Sequence, residues 1–90
     1  QHHRAEIGIA LLKEYYGRGI AQQALGKIID YARNTLALHQ LYAMVPVENT
    51  PSVMMLRKAQ FEQCALLPQW LFYALSYHDV SVMQLFLQNS

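Results

Sequence analysis

The sequence has little of what would place it in several common classes of protein. Its single cysteine, Cys64, excludes an internal disulfide framework and fits a reducing compartment. We expect this lone thiol to pack as a buried hydrophobe. Only 14% of the residues are charged and the net charge is +1, so no basic surface is available to a nucleic acid. No apolar run is long enough to span a membrane, and no signal-peptide pattern is present. We therefore expect a cytoplasmic protein that binds neither nucleic acid nor membrane, and we predict no metal site.

The length and the hydrophobic content indicate one small domain with an apolar surface. Ninety residues make one domain at most, residues 1–90, and so short a chain buries too little surface for a wide stability margin. Hydrophobic residues nevertheless make up 53% of the chain. We expect some of that apolar surface to meet another chain.

The hydrophobic pattern predicts a strand, a helix and a second strand in the first half of the chain. Residues 5–12 are mostly apolar, as in a strand. Apolar residues recur at steps of three and four over residues 21–38, which marks one face of a helix. Residues 41–47 are apolar on both faces, as in a buried strand. Two strands joined through a helix lie parallel in one sheet, so the predicted class is α/β.

The second half of the chain predicts a short helix followed by antiparallel strands. Thr50 and Pro51 are typical of an N-cap and of a proline at the first helical position. From Phe61 onward the residues are aromatic and apolar with few helix stops, which favours two or three paired strands. The full order is strand, helix, strand, helix, strand, strand in a central mixed sheet. A turn is predicted near the polar residues Ser76, His78 and Asp79.

Several conspicuous side chains near the end of the chain receive structural interpretations. Trp70, Phe72 and Tyr73 are predicted to form the core face of a sheet. His78 and Asp79 invite comparison with a catalytic dyad, but neighbours on a strand point to opposite faces. A pair at a turn or at a sheet edge is the favoured interpretation.

The segment EYYGRGIAQQAL, residues 14–25, carries the main functional signal. Gly17 and Gly19 precede a predicted helix, whose first backbone N–H groups lie unpaired at the positive end of the helix dipole. Glycine lets the backbone approach a phosphate or diphosphate closely, so a phosphate site is one interpretation of this segment. The alternative interpretation is a simple tight turn without a ligand. No Walker A pattern is present, and Gln22 stands where the third glycine of a dinucleotide fingerprint would be.

The stretch AEIGIALLKEYYGRGIAQQAL resembles the cofactor-binding segment of the GNAT superfamily of acetyl-CoA-dependent N-acetyltransferases. The family motif in this segment is Gln/Arg-x-x-Gly-x-Gly/Ala at the start of a helix. Gly19 and Ala21 match its last two fixed positions, whereas Tyr16 stands in place of the Gln or Arg.

Two further stretches extend the resemblance over nearly the whole chain. In YAMVPVENTPSVMMLRKAQFE, Asn49, Ser52 and Phe61 match the next GNAT signature, and Gln60 replaces its glycine. The tail YHDVSVMQLFL is similar to the last strands of the subgroup of ribosomal-protein and spermidine or spermine N-acetyltransferases. The resemblance implies the C-terminal half of the GNAT fold, with residues 5–12 as its fourth strand. The earlier elements of the family fold, which supply much of the acceptor pocket, have no counterpart in this sequence.

The resemblance also implies a site for acetyl-CoA. The turn before the first helix would hold the diphosphate, the first strand would bind the pantetheine arm, and a polar pair after the second strand would lie near the sulfur. The residues implied are Gly17, Arg18, Gly19, Ile20 and Ala21 for the diphosphate, Ile9 and Leu11 for the pantetheine, and Asn49 and Ser52 near the sulfur. The structural alternatives are a solvated surface arginine at position 18 and a helix-capping cluster at positions 49 and 52.

The catalytic residues implied are Glu6 and Asn49. Glu6 would relay a proton from the amine, often through water, and its alternative is a strand-end carboxylate in solvent. The usual general acid of the family is a tyrosine seven residues after the asparagine, and in this sequence that position is Leu56. A water molecule, one of the six tyrosines or no acid at all would then serve the departing thiolate.

Two functions are compatible with these residues. The first is an N-acetyltransferase, or the cofactor half of one, which transfers the acetyl group directly to a primary amine on a peptide N-terminus, a polyamine or a small molecule. The second is a non-catalytic module that binds CoA or associates with itself. In either case the strand at residues 5–12 is left as an open edge, so a homodimer or higher oligomer is predicted.

Overall fold

The computed structural model describes residues 3–8 and 19–87. These residues form a mixed sheet with two helices, in the order predicted from the sequence, and the α/β class is confirmed. The elements are β1 (Arg4–Glu6), α1 (Ile20–Asn34), β2 (Gln40–Pro46), α2 (Thr50–Lys58), β3 (Glu62–Tyr73) and β4 (Ser76–Phe86).

The sheet has the strand order β1-β2-β4-β3. β1 and β2 are parallel, as predicted for strands joined through a helix, with Ala5 opposite Leu41. β4 lies between β2 and β3 and is antiparallel to both. β1 is therefore an edge strand of the described sheet, which confirms its predicted position. The rest of the predicted strand at residues 5–12 lies mostly outside the described residues.

A single hydrophobic core cluster joins both helices to one face of the sheet. β2 alternates between buried and half-buried residues, and Leu41, Ala43 and Val45 face the core. The buried stripe of α1 has the helical spacing predicted from the sequence, because a helix returns to the same face every three or four residues. The Gln22 side chain in the first turn of α1 donates a hydrogen bond to the backbone oxygen of Met55 in α2, at 3.2 Å. The core residues from the helices are Ala21, Leu25, Ile29, Ala32, Met55 and Leu56.

Two helix ends differ from the sequence prediction. α1 ends at Asn34 rather than at residue 38. The backbone reverses with Ala37 at a φ of 52°, and this reversal places Leu38 in the core. α2 begins at Thr50, but the N-cap is Asn49 rather than Thr50, since the Asn49 side chain accepts the capping hydrogen bond.

The turn between β3 and β4 lies beside Ser76, near the polar residues where the sequence predicts a turn. Its two residues are Ala74 and Leu75, which have φ values of 51° and 64°. A type I′ turn needs positive φ at both positions and usually has Asn-Gly or Asp-Gly there, so the pair Ala-Leu does not itself predict the turn. His78 and Asp79 lie within β4 and not in the turn.

The prediction that Trp70, Phe72 and Tyr73 form a core face is wrong, because all three are exposed. β2 pairs with β4 only from Val80 to Phe86, so the end of the hairpin extends past the rest of the sheet, and none of its residues belongs to the core cluster. We call this extension, residues 68–79, the hairpin arm. The predicted burial of the lone cysteine is wrong as well, since it is exposed on β3. Within the described part of the chain, no helix is long and apolar enough to cross a membrane.

Candidate functional site

The candidate site lies at the carboxyl edge of the parallel strands. Because β1 and β2 run in the same direction, their carboxyl ends point toward the same edge of the sheet. Each of these two strands leads into a helix, so the first turns of α1 and α2 follow that edge. Open α/β sheets bind ligands outside the carboxyl ends of their strands.

The start of α1 has the geometry of an anion site. Gly19 is the N-cap, in the left-handed conformation with a φ of 73°, and no side chain caps the helix. The first turn contains no acidic residue, and the first helical hydrogen bond runs from the Gln23 N–H to the Gly19 oxygen at 3.4 Å. The N–H groups before Gln23 have no acceptor within the helix. They are donors at the positive end of a dipole, an arrangement that fits a diphosphate.

The conformation of Gly19, rather than crowding, explains why a glycine stands there. Among the described residues, nothing lies within 4 Å of a Cβ built on Gly19, but its positive φ disfavours any residue with a Cβ. The described part of the chain therefore leaves space for a ligand beside this backbone. The site residues Ile9, Leu11, Gly17 and Arg18 lie outside the described residues, and their predicted roles stay predictions.

The start of α2 is closed by its own side chains. The Asn49 side-chain oxygen accepts a hydrogen bond from the Ser52 N–H at 3.4 Å. Pro51 has no N–H to satisfy, and Ser52 is fully buried. The structure thus brings Asn49 and Ser52 together in the capping arrangement that the sequence offered as the alternative. Their contact with a cofactor stays a prediction.

Glu6 lies on the opposite face of the sheet from the helices. It pairs in register with Tyr42 on β2, and its neighbour Ala5 pairs with the core residue Leu41. Its side chain is exposed. Tyr42 comes four residues before Pro46, the last residue of β2, which corresponds to about 13 Å along the strand. Glu6 and Asn49 therefore sit at different levels of the sheet, and the proton-relay role of Glu6 stays a prediction.

Leu56, at the position where the family carries a tyrosine, is fully buried in the core. It cannot reach a ligand or donate a proton. The carboxyl edge has another polar cluster, which the sequence prediction missed. The Glu48 carboxylate hydrogen-bonds Nδ1 of His78, and Nε2 of His78 lies 2.9 Å from the Tyr73 backbone oxygen and 3.1 Å from Oγ of Ser76.

The polar cluster shifts the pKa values of two of its members. A hydrogen bond from its own backbone N–H, and then its contact with His78, hold the pKa of Glu48 below its ordinary value. Partial desolvation by neighbouring groups, and then the charge of Glu48, raise the pKa of the exposed Tyr73 phenol. The Tyr73 and His78 rings stack with centroids 3.7 Å apart.

His78 and Asp79 do not form a dyad. Oδ1 of Asp79 accepts a hydrogen bond from the Gln69 N–H at 2.8 Å, whereas His78 contacts Glu48, as expected for neighbours on opposite faces of a strand. Glu48 and His78 are thirty residues apart, and no spacing signal in the sequence links them. Among the described residues, no group of three or more His, Cys, Asp or Glu side chains could hold a metal ion.

An apolar cavity of about 240 Å³ lies away from this edge. It opens between β1 and the second half of α1, and its lining includes Ile7, Ile28, Tyr31 and Leu36. The cavity is therefore beside the open edge of the sheet rather than at the helix starts. The fold is that of an α/β protein, and the start of α1 has a geometry that suits an anion.

Comparisons with known proteins narrow this class to one family. Residues 1–62 match the family model described as Acetyltransferase (GNAT) domain. An uncharacterized N-acetyltransferase, p20, from Bacillus licheniformis is 42% identical over 64 residues, which are 71% of this chain and 36% of that protein. The chain belongs to the GNAT acetyltransferase family.

Solved structures agree with this assignment. A dodecameric spermidine N-acetyltransferase from Vibrio cholerae superimposes with a TM-score of 0.76 and 30% identity, over 81% of this chain and 43% of that one. A putative acetyltransferase, yncA, from Salmonella typhimurium, solved with acetyl-CoA, gives a TM-score of 0.78 and 27% identity, over 82% of this chain and 42% of that one. The chain thus spans less than half of the length of each of these three relatives.

Proposed function

We propose that residues 1–90 form the acetyl-CoA-binding half of an N-acetyltransferase, which transfers an acetyl group to a primary amine by direct attack. The observation that carries this proposal is the start of α1. Its backbone N–H groups are left open, its first turn carries no acid, and Gly19 holds the conformation that opens the approach. These features suit the diphosphate of CoA.

Two parts of this chain would bind different parts of the cofactor. The backbone from Gly19 to Ala21, with Gly17 and Arg18, would hold the diphosphate. Pairing of β1 with β2 reaches the Ile7 N–H, which donates to the Tyr42 oxygen at 2.8 Å. Ile9 and Leu11 come next along the chain and would offer their backbone to the pantetheine arm.

The chemistry at the thioester end would rest on few groups. When bound, acetyl-CoA supplies an activated acyl carbon to the amine. Glu6 would accept the proton that the amine loses, through water, and Asn49 and Ser52 would lie near the sulfur. No phenol stands at position 56, so a water molecule, another tyrosine or no acid at all would serve the departing thiolate.

We propose a class of acceptor, a primary amine, rather than one compound. The Vibrio cholerae relative is a spermidine N-acetyltransferase, which makes a polyamine the first acceptor to test, followed by a peptide N-terminus or another small amine. The same likeness supports placement in the subgroup of ribosomal-protein and spermidine acetyltransferases. That relative is dodecameric, which supports a homo-oligomeric state for this chain as well.

A second candidate function is a CoA-binding or self-associating module without catalysis. One observation favours it: Leu56 is buried where the family has its acid. The two candidates share cofactor binding and differ in turnover. Release of free thiol from acetyl-CoA in the presence of spermidine, tested with the purified chain, separates them.

The binding proposal is tested by a pair of variants that differ in one charge. Gly19→Asn and Gly19→Asp both tolerate the left-handed conformation and have nearly the same shape. We expect isothermal titration to show acetyl-CoA binding by the parent chain, weaker binding by Gly19→Asn, and a further loss of roughly ten-fold in Gly19→Asp. The reason is that the aspartate places a negative charge where the diphosphate binds.

The matched control for these variants is Gly26→Ala. Gly26 lies within the same helix, and a Cβ there meets nothing within 4 Å. We expect its affinity for acetyl-CoA to equal that of the parent. Equal affinities for Gly19→Asn and Gly19→Asp, or no binding by the folded parent, would remove the start of α1 as a diphosphate site.

A further inference from the structure

The hairpin arm carries an apolar surface that the fold leaves uncovered. We define the arm patch as four of its side chains, which are between 58% and 93% exposed. They belong to the two strands and to the turn between them, at the tip of the hairpin. The residues of the arm patch are Trp70, Phe72, Leu75 and Tyr77. Tyr73 is not part of it, because Tyr73 stacks on His78, on the other face of the hairpin from the contact of Phe72 with Tyr77.

We propose that the arm patch is the surface through which two copies of this chain associate. The inference does not depend on cofactor binding. It also names a different surface from the β1 edge, on which the sequence prediction of an oligomer rested.

The size of the patch supports a protein partner. Aromatic side chains bury about 150–250 Å² each, so the exposed fractions leave on the order of 500 Å² of apolar surface on the arm. That is near the upper limit of about 300–600 Å² for the largest patch on a monomer. Two such patches meeting would bury about 1,000 Å², the lower limit for a specific interface.

The chemistry of the patch favours a second copy of this chain. The ten residues PQWLFYALSY, from Pro68 to Tyr77, include no charged side chain, and no Lys or Arg follows Lys58. In a two-fold dimer a patch meets itself, so any charge at its centre would face a like charge. The lack of cations also argues against anionic lipid, which attracts basic surfaces.

The arm is held in shape before any partner binds. The Phe72 and Tyr77 rings contact each other across the strands, edge to face, with centroids 4.9 Å apart. The Asp79 side chain accepts a hydrogen bond from the Gln69 N–H, which stabilises the irregular part of β3. The His78 side chain contacts Glu48, which lies outside the arm, and this contact stabilises the position of β4. A preorganised surface loses little conformational freedom on association, which favours binding.

Trp70 is the only tryptophan of the chain and lies in the patch, so its fluorescence reports directly on the arm. Sedimentation equilibrium and tryptophan emission should be followed over the same dilution series of the full chain. We expect dimer at high concentration with blue-shifted emission, and a red shift on dilution whose midpoint coincides with dissociation. A monomer at every concentration, or a dimer whose Trp70 emission does not change on dilution, would overturn the proposal.

Three variants locate the interface. Tyr77→Lys should raise the dimer dissociation constant by roughly ten-fold or more, because two lysines would meet in the centre of an apolar contact. Met54→Lys is the matched control, since Met54 is 63% exposed on α2 and lies outside the arm. The Ile7 N–H points toward β2, so the Arg4 N–H points away from β2, to the outer side of β1. Arg4→Pro removes that outer N–H and therefore blocks pairing of another strand at this edge.

We expect Met54→Lys and Arg4→Pro to dimerise as the parent does, with folding of every variant checked by circular dichroism. Loss of the dimer in Arg4→Pro but not in Tyr77→Lys would assign the interface to β1 and overturn the proposal. So would equal weakening by Met54→Lys. A blue shift of Trp70 with anionic vesicles, in a chain that stays monomeric, would instead identify a lipid surface as the partner.

Discussion

The two helices begin in opposite ways, although both follow the carboxyl end of a parallel strand. α1 begins at a left-handed glycine with no side-chain cap and no acid in its first turn. α2 begins with the Asn49 cap and a proline, and the Glu48 carboxylate comes directly before the cap. A capped start satisfies its backbone donors within the protein, whereas an uncapped start leaves them for water or a ligand. The cap of α2 thus contributes to the stability of the fold, whereas the start of α1 keeps the donors that the proposed binding of a diphosphate requires.

The largest expected effect concerns the core that holds both helices in place. Leu25 of α1 and Leu56 of α2 are fully buried, so Leu25→Ala and Leu56→Ala should each lower the free energy of unfolding by about 2–5 kcal/mol. Urea denaturation measures the loss, and Met54→Ala on the exposed side of α2 serves as the control. A loss below about 1 kcal/mol at either leucine would show that the helix is not anchored as described.

Replacing glycine by alanine should lower the stability of the protein at one position of α1 and raise it at another. Gly19→Ala forces a Cβ into a left-handed conformation and should cost about 1–2 kcal/mol of stability. Gly26→Ala, within α1 in ordinary helical conformation, should add about 0.5–1 kcal/mol. Thermal or urea unfolding of the two variants checks this. A gain at both positions would mean that Gly19 is not held at positive φ.

Removal of the α2 cap should separate stability from binding. Asn49→Ala leaves the Ser52 N–H without its acceptor and should cost about 1 kcal/mol. Asn49→Asp keeps a capping oxygen and should restore most of that loss. If acetyl-CoA affinity is unchanged in Asn49→Asp, the residue acts as a cap. A loss of affinity in this stably folded variant would support the predicted contact of the Asn49 amide with the cofactor.

The smallest expected effect is a dependence on pH at the start of α2. The pKa of Glu48 lies below its ordinary value of 4.5, so the folded state gains stability from the ionised carboxylate above that pH. This stability should be lost as the pH falls through the lowered pKa of the folded state. The melting temperature of the parent should approach that of Glu48→Gln at low pH and exceed it slightly at neutral pH. A difference that does not change with pH would exclude the ionised carboxylate as its source.

The sequence predicts the fold well because the signals for it are local. The helical repeat of α1, the apolar run of β2 and the proline near the start of α2 each act within a few residues. The parallel pairing then follows from the connection through a helix. The glycine signal was also local, and Gly19 has the backbone conformation for which a glycine is needed.

The features that sequence reasoning missed depend on distant contacts. Asn49 and Thr50 are both good caps, and only the observed hydrogen bond decides between them. The aromatic residues of the arm have the composition of a core strand, but the core cluster does not extend to them. The contact of Glu48 with His78 joins residues that no local pattern relates.

The short pairing of β1 has a consequence for how the protein assembles. The hairpin of β3 and β4 closes through a two-residue turn, a local step that takes microseconds, whereas Arg4 must find Gln40 across most of the intervening chain. Among the described residues β1 pairs through three residues, fewer than any other strand, so we expect it to join last and to open first in native-state hydrogen exchange. A ligand bound between β1 and α1 would then select the closed form, and its occupancy would appear as slower exchange at the Ile7 amide.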